Sequence, residues 1–376
     1  MDTTAPATRG FTVAELPIPP SLDAPGAGDY IASVELVESS QAGVLGHGDF
    51  IEGPVRALVG HEETPYTRSL RFAARDGAGR IIGVAAVHLP LAENTDMAIA
   101  YVAVDPAHRR RGIGTALFRA AEDACVDLGR TRLNAWVDYP TAPLPGEGPE
   151  GSLVLPSKGD GAVPADSPTT LFARSLGMEL KQVERVSRMD LPRPAGLLED
   201  LEARARAASE EEYDVVSWVG RVPEDAVEDY CRMVERMDVD PPLGGLEWEE
   251  SVWDEARLRT AEDRDERRDN ELVTTCAVHR ASGDLVAFTV LLVMREKPTV
   301  AYQEDTLVMG GHRGHRLGML VKTVNLKRTL EAFPHVGRVY TWNAEENEHM
   351  LAINVAMGFV PVHSEGAWQK SAVNRR

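Results

Sequence analysis

One short segment occurs twice in this chain of 376 residues, in the same register and without a gap. The first copy runs Tyr101-Val-Ala-Val-Asp-Pro-Ala-His-Arg-Arg-Arg-Gly-Ile-Gly114, the second Asp305-Thr-Leu-Val-Met-Gly-Gly-His-Arg-Gly-His-Arg-Leu-Gly318. Val104 corresponds to Val308, His108 to His312, Arg109 to Arg313 and Gly114 to Gly318, each displaced by 204 positions (308 − 104). A repeat constrains architecture first, because each copy needs its own supersecondary unit. Each copy predicts a strand, a turn, an Arg/Gly-rich loop and a helix start. The first turn of a helix offers unbonded N–H groups at the positive end of the macrodipole. Glycine lets the backbone approach a phosphate, and arginine adds a forked donor at the rim. The chain is therefore expected to hold two similar domains, each with a pyrophosphate-sized anion cradle.

At roughly 100–200 residues per domain the length allows two or three domains. The apolar runs fall short of the ~18–20 residues of a membrane span, and Met1 to Gly10 is polar rather than a signal peptide. Cys125, Cys231 and Cys276 are odd in number and far apart. That pattern predicts buried thiols in a reducing cytoplasm, with neither a disulfide framework nor a CxxC metal site, so no metal is expected. The formal charge of −19 disfavours nucleic acid and favours cationic small molecules, although acidity also serves solubility alone.

Residues 1–28, dense in Pro and Gly, are expected to be a flexible segment, 29–192 the first domain, 193–212 a linker with a charged helical stretch at Leu197 to Arg206, and 213–376 the second domain. In the first domain Asp76-Gly-Ala-Gly79 marks a hairpin, followed by a strand Met97 to Val104 and a helix from about Gly112 to Leu128. A strand Arg132 to Val137, a Pro/Gly-rich insertion Tyr139 to Pro168, a short helix Thr170 to Leu176 and a closing strand Met178 to Leu191 complete it. The second domain repeats the order: helices over Pro223 to Asp238 and Ser251 to Arg268, a hairpin across Ser282-Gly-Asp284, and the strand Thr299 to Val308. Helix Leu317 to Phe333, strand Arg338 to Trp342, helix Asn347 to Met357 and a strand from Phe359 follow.

The segment Val104-Asp-Pro106…Arg109-x-x-Gly112-x-Gly114 resembles the signature of the GNAT acetyltransferases, Gln/Arg-x-x-Gly-x-Gly/Ala after a strand ending Val-x-Pro. Phe172-Ala-Arg-Ser-Leu-Gly-Met178, with Met in place of the aromatic, and Ile353-Asn-Val-Ala-Met-Gly-Phe359 resemble that family's closing helix–Gly–aromatic segment. The resemblance covers most of 30–190 and 213–372. It implies an α/β (α+β) fold of two tandem GNAT-like domains, each a mixed, mostly antiparallel central sheet flanked by helices. A dinucleotide site would instead want Gly-x-Gly-x-x-Gly after the first strand of an alternating βαβ chain, whereas antiparallel hairpins precede this loop.

The same resemblance implies acetyl-CoA as co-substrate, and direct acyl transfer to an amine. Donor-binding candidates are Val102, Val104, Arg109, Arg110, Arg111, Gly112, Ile113, Gly114 and Thr115 in the first half. In the second they are Val308, Arg313, Gly314, His315, Arg316, Leu317, Gly318, Asn343 and Asn347. The second half departs at Arg316, where the loop glycine should stand, but offers Asn343 and Asn347 where the first half aligns Val137 and Thr141. On those amides the second half is the expected catalytic half. An attacking amine needs a base. Family members often carry it as a glutamate on the strand before the loop, so the resemblance implies Glu304 as the first candidate base, on the strand face of Tyr302 and Thr306 by period-2 alternation, with Asp305, on the face of Gln303, the second; Asp96 is the first-half counterpart. Many members set a tyrosine four residues before the last glycine as general acid; Ala173 and Asn354 stand there, leaving His349 or water. His108 and His312 read as turn caps. The expected acceptor is a small cationic amine of antibiotic, amino-sugar or polyamine type, handled by a cytoplasmic monomer or homodimer without nucleic acid or membrane. A non-catalytic acetyl-CoA sensor and a protein-lysine acetyltransferase are the other readings.

Overall fold

The computed structural model describes residues 10–140, 151–209 and 212–371. Thr141, residues 1–9 of the expected flexible segment, 141–150 of the insertion and 210–211 of the expected linker lie outside the described residues. The strands and helices are β1 (Phe11–Glu15), α1 (Ala27–Leu45), α2 (Pro54–His61), β2 (Thr67–Asp76), β3 (Ile81–Pro90), β4 (Met97–Val104), α3 (Ile113–Asp127) and β5 (Arg132–Tyr139). Next come β6 (Leu153–Val154), β7 (Val163–Pro164), α4 (Pro168–Ser175), β8 (Glu179–Asp190), α5 (Leu197–Ala208), β9 (Tyr213–Val219), α6 (Val227–Met237) and α7 (Glu255–Arg267). The chain finishes with β10 (Asn270–His279), β11 (Leu285–Met294), β12 (Val300–Val308), α8 (Leu317–Ala332), β13 (Arg338–Ala344), α9 (Glu348–Met357) and β14 (Val360–Lys370).

Two compact units form, and neither is one continuous stretch. The first gathers Met1–Asp138, Ser167–Glu179 and Ala367–Arg376, the second Tyr139–Asp166 and Leu180–Gly366. The strand expected to close the first domain, β8, thus lies almost wholly in the second unit. There it pairs antiparallel with β13 from Arg338↔Asp190 to Ala344↔Glu184. A strand belongs where its ladder partner is, and chain order does not fix that.

In the first unit the sheet runs β1-β2-β3-β4-β5. All neighbours are antiparallel except the parallel pair β4 and β5. The Asp76 carboxylate accepts from the N–H groups of Ala78 and Arg80, closing the β2–β3 hairpin where Gly and Asp predict it. Ile82, Val84, Ala85, Val87 and Leu89 of β3 are all buried, the pattern of a strand covered on both faces. β1, within the segment expected to be loose, adds an edge strand to β2. α2, which the sequence reading left out, starts with Pro54 in its first turn.

The second unit repeats this sheet in the order β8-β13-β12-β11-β10-β9, again with one parallel pair, β12 and β13. α8 packs over β10 and β11, and α5 packs on α8. The expected linker is therefore a docked helix. Leu198 and Leu201 join the cluster of Met189, Leu326 and Val339, and Glu202 bonds Lys327 at 2.9 Å. Its charges hid an apolar stripe at helical spacing.

A β-bulge changes the reading of β12. Thr289 pairs with Thr306 but Leu291 with Gln303, so three steps on β12 oppose two on β11. Gln303 Nε2 and Thr306 Oγ1 consequently both reach Thr289 Oγ1, at 3.0 and 2.7 Å. The alternation that put Tyr302, Glu304 and Thr306 on one face fails at this point. The equivalent β3–β4 ladder keeps an unbroken register from Gly83↔Val104 to His88↔Ile99.

A Cβ on Gly83 would stand 2.8 Å from Leu117 Cδ1, 3.0 Å from Ile113 Cγ2 and 3.3 Å from the Ala103 carbonyl oxygen. Gly83→Val is expected to cost about 1–3 kcal/mol in urea unfolding, through overpacking of β3 against α3.

Candidate functional site

The β4–β5 ladder lasts only from Met97↔Arg132 to Ile99↔Asn134. Beyond Ile99 the two strands part, while β4 stays paired to β3 up to Val104. The chain then turns sharply. Asp105 caps the turn by accepting from Ala107 N–H at 2.8 Å, and His108 Nδ1 lies 3.5 Å from the same carboxylate. Arg110 (φ 62°) and Gly112 (φ 81°) are left-handed, and α3 begins at Ile113. This alternation turns successive N–H groups to one side, forming a nest at a helix start. Arg109 Nε donates to the Val104 carbonyl at 2.9 Å, holding the loop against the strand end.

A cavity of about 650 Å³ opens at this nest and follows β4 through the fork. That volume suits a cofactor-sized ligand. Val102, Val104, Arg109, Arg110, Gly112, Ile113, Gly114 and Thr115 line it. Arg111 does not, because its guanidinium donates back to the Ala107 carbonyl at 3.1 Å. The cavity also meets residues that the motif did not reveal: Gln41 of α1, Tyr101, Trp136, Asp138, Phe172 and Trp368. Val104 Cγ2 and the Phe172 ring lie 3.6 and 3.2 Å from where a Gly114 Cβ would be, so Val102 and Val104 face the nest side. By alternation Tyr101 faces the other way. Burial, and then the Asp138 charge, push the Tyr101 phenol up to about 12, against the pull of Arg109. Asp138 accepts from Gln41 Nε2 at 3.0 Å. Asp96 bonds Arg132 at 2.7 Å, which holds its carboxyl below the usual range and makes it a structural anchor rather than a base.

The second cradle repeats the backbone turn of the first and its arginine bond to the strand end, but Met309 replaces the capping Asp105. Gly314 (φ 92°) and Arg316 (φ 56°) are left-handed at the positions of Arg110 and Gly112, so glycine and arginine have exchanged places on one backbone. Arg313 Nε donates to Val308 O at 3.2 Å, as Arg109 does to Val104. Leu317 and Gly318 begin α8, and Gly318 faces Ile353 as Gly114 faces Phe172. The side chains differ, however. Arg313 is paired with Asp240 at 2.8 Å. His312 Nδ1 and Tyr213 OH lie 3.0 Å apart, with His315 against the same ring, so His312 packs rather than caps. The β12–β13 ladder stops after Gln303↔Thr341.

Past that point the amides expected to meet the donor are already engaged. Asn343 Oδ1 accepts from Asn354 Nδ2 at 2.6 Å, Asn354 Oδ1 accepts from Lys322 Nζ at 2.8 Å, and Asn347 caps α9 through Met350 N–H. Lys322 is 1% exposed, and burial drives its ammonium down to about 7. Glu304 is exposed. Asp305 is half-buried, and loss of water together with the Asp238 carboxylate pushes it up to about 6. His349 is exposed on the first turn of α9. All three cysteines are buried thiols. Among the described residues no group of three or more His, Cys, Asp or Glu side chains is arranged to hold a metal ion, and no helix is long and apolar enough to cross a membrane.

Residues 49–143 match the Acetyltransferase (GNAT) family. The chain is similar in structure to a tandem GNAT protein from the clavulanic acid biosynthesis pathway, with a TM-score of 0.70, 24% identity, and coverage of 97% of this chain and 100% of that one. A GCN5-related N-acetyltransferase from Sphaerobacter thermophilus aligns with a TM-score of 0.63 at 14% identity, over 97% and 96% of the two chains. A GCN5-related glucosamine N-acetyltransferase region of a fungal multi-domain β-N-acetylglucosaminidase aligns at 0.60 and 15%, over 98% of this chain and 39% of that one. No curated protein sequence matches the chain.

Lys322 supplies a pH test of this geometry. Its folded pKa lies below the free value of 10.5, so between about 7 and 10.5 the unfolded chain binds more protons and stability rises with pH. Urea unfolding from pH 7 to 9 is expected to show this gain, at most ~1.4 kcal/mol per pH unit. Lys322→Met should flatten the rise and be the more stable protein at pH 7.

Proposed function

With residues 49–143 belonging to the acetyltransferase (GNAT) family and the chain carrying a tandem GNAT fold, we propose that this acyltransferase moves an acetyl group from acetyl-CoA, held in the first unit, directly to the amine of a small cationic molecule. The sequence alone favours the second half as the catalytic half, with donor-binding candidates in both. What supports the first is the cavity that starts at Gly112 and Gly114 and continues through the β4–β5 fork.

In this reading the N–H groups of the nest, with Arg109 and Arg110, hold the pyrophosphate. The pantetheine arm lies along β4 beyond Ile99, where the ladder to β5 has ended. The thioester then reaches the fork, and the acceptor enters from the side of Tyr101, Gln41 and Asp138. The Asp138 carboxylate draws in a cationic amine and takes its proton, directly or through water. The amine nitrogen attacks the thioester carbonyl, the C–S bond breaks, and the thiolate leaves. Tyr101, protonated at neutral pH, supplies the proton that Ala173 cannot. Asp138 and Tyr101 thus take the roles that the motif pattern alone would assign to Glu304 or Asp305 and to a tyrosine in α4.

An acetyl-CoA sensor without turnover is the second reading, and Ala173 at the usual tyrosine position is what favours it. Thiol release measured against a panel of amines separates the two. Turnover with any amine supports transfer, whereas tight acetyl-CoA binding with none supports the sensor.

Gly112→Trp is expected to fill the first nest and abolish both acetyl-CoA binding and turnover. Retained turnover would move the donor to the second unit, with Asp305 as base. Asp138→Asn should raise the amine KM about tenfold or more, the loss of roughly 1.4 kcal/mol of charge recognition, with acetyl-CoA affinity unchanged. Tyr101→Phe should lower kcat by about 10²-fold or more, mainly for amines whose attack is not rate-limiting.

A further inference from the structure

The first cavity and the buried Lys322 occupy the same place in the two repeats. The repeat displacement of 204 sets Lys322 on Phe118 (322 − 118), and the closing glycines Gly358 and Gly177 set a displacement of 181 for α9 on α4. Lys322 reaches Met350 Sδ at 3.9 Å, Asn354 Oδ1 at 2.8 Å and the Phe359 ring at 5.8 Å. Their counterparts are Thr169, Ala173 and Met178, and Asn343 corresponds to Val137. Phe118, Thr169, Ala173, Met178 and Val137 all line the first cavity. What is open space between small and apolar side chains in the first unit is crossed in the second by a hydrogen-bonded chain from Lys322 through Asn354 to Asn343.

We propose that the Lys322–Asn354–Asn343 bridge closes the second cradle to coenzyme A thioesters, so that the chain binds one acetyl-CoA although it carries two nests. The inference rests on acetyl-CoA as the donor of the first unit. An entering pantetheine arm would have to displace Asn343 from Asn354, leaving buried amide and ammonium groups without partners. Such groups are costly to strand in an apolar interior. Arg316 and Gly314 do not cause the closure, since the backbone angles of the nest are retained. The bridge lies deeper, where the strands part.

Isothermal titration of the whole chain with acetyl-CoA tests this without any variant. One molecule bound per chain is expected, and none after Gly112→Trp. In that Gly112→Trp background, Lys322→Phe combined with Asn343→Val and Asn354→Ala should restore binding, now sensitive to Arg313→Ala by about tenfold. Circular dichroism and a cooperative melt confirm that each variant is folded. Two molecules on the wild-type chain, or one remaining on Gly112→Trp, would overturn the closure. So would a folded combined variant that binds none. Failure of the wild-type chain to bind acetyl-CoA at all is a distinct result: it removes the donor reading, and the inference with it.

Discussion

Two parallel strands that cannot stay together give this protein its site. β4 and β5 share three residue pairs before they separate, and β12 and β13 share four. Strands with opposite edges fixed, β4 to β3 and β12 to β11, have nowhere else to move, so the gap persists. Parting strands remove ladder hydrogen bonds from an interior where backbone polar groups need partners. A fold keeps such a fork only if something else satisfies it: a ligand along the strand, or side chains. The first unit leaves a cavity at its fork, and in the second Lys322, Asn354 and Asn343 are hydrogen-bonded to one another beyond the end of the ladder.

The nests show how little the backbone depends on which residue is glycine. Left-handed φ occurs at Arg110 and Gly112 in one copy and at Gly314 and Arg316 in the other. An arginine there costs on the order of 1 kcal/mol relative to glycine, and each copy contains one. Both loops are tied back by the same arginine Nε bond to the last strand carbonyl. Recurrence of the cradle therefore does not settle its use, since the space beyond it is shaped by side chains on other elements.

Several features were legible in particular residues. The repeat gave both strand–turn–helix units nearly to their ends, and Asp76-Gly-Ala-Gly79 gave the first hairpin. α5 was expected as a charged helical stretch of a linker, but its docking was not, because its charged residues outnumber Leu198, Leu201 and Ala205, the positions that dock it. Strict alternation grouped Glu304 with Tyr302 and Thr306 on one face, and a bulge on β12 breaks that grouping. Asn343 and Asn347 had the right chemistry for a pantetheine arm, but residues distant in sequence, Asn354 and Lys322, already satisfy the first, and the second caps its own helix. Asp138 and Tyr101 carry no motif and gain meaning only from the cavity.

The sequence by itself determined two GNAT-like repeats, each with a left-handed turn at a helix start, because backbone turns and helix starts are encoded by neighbours a few residues apart. The tertiary structure decided where the strands part and which side chains meet there, and that β8 lies in the second unit rather than the first. Those outcomes depend on packing and hydrogen bonding between positions far apart in the chain, such as Lys322 with Asn354 and Asp190 with Arg338. Local patterns cannot report whether a gap between two strands is empty or already filled.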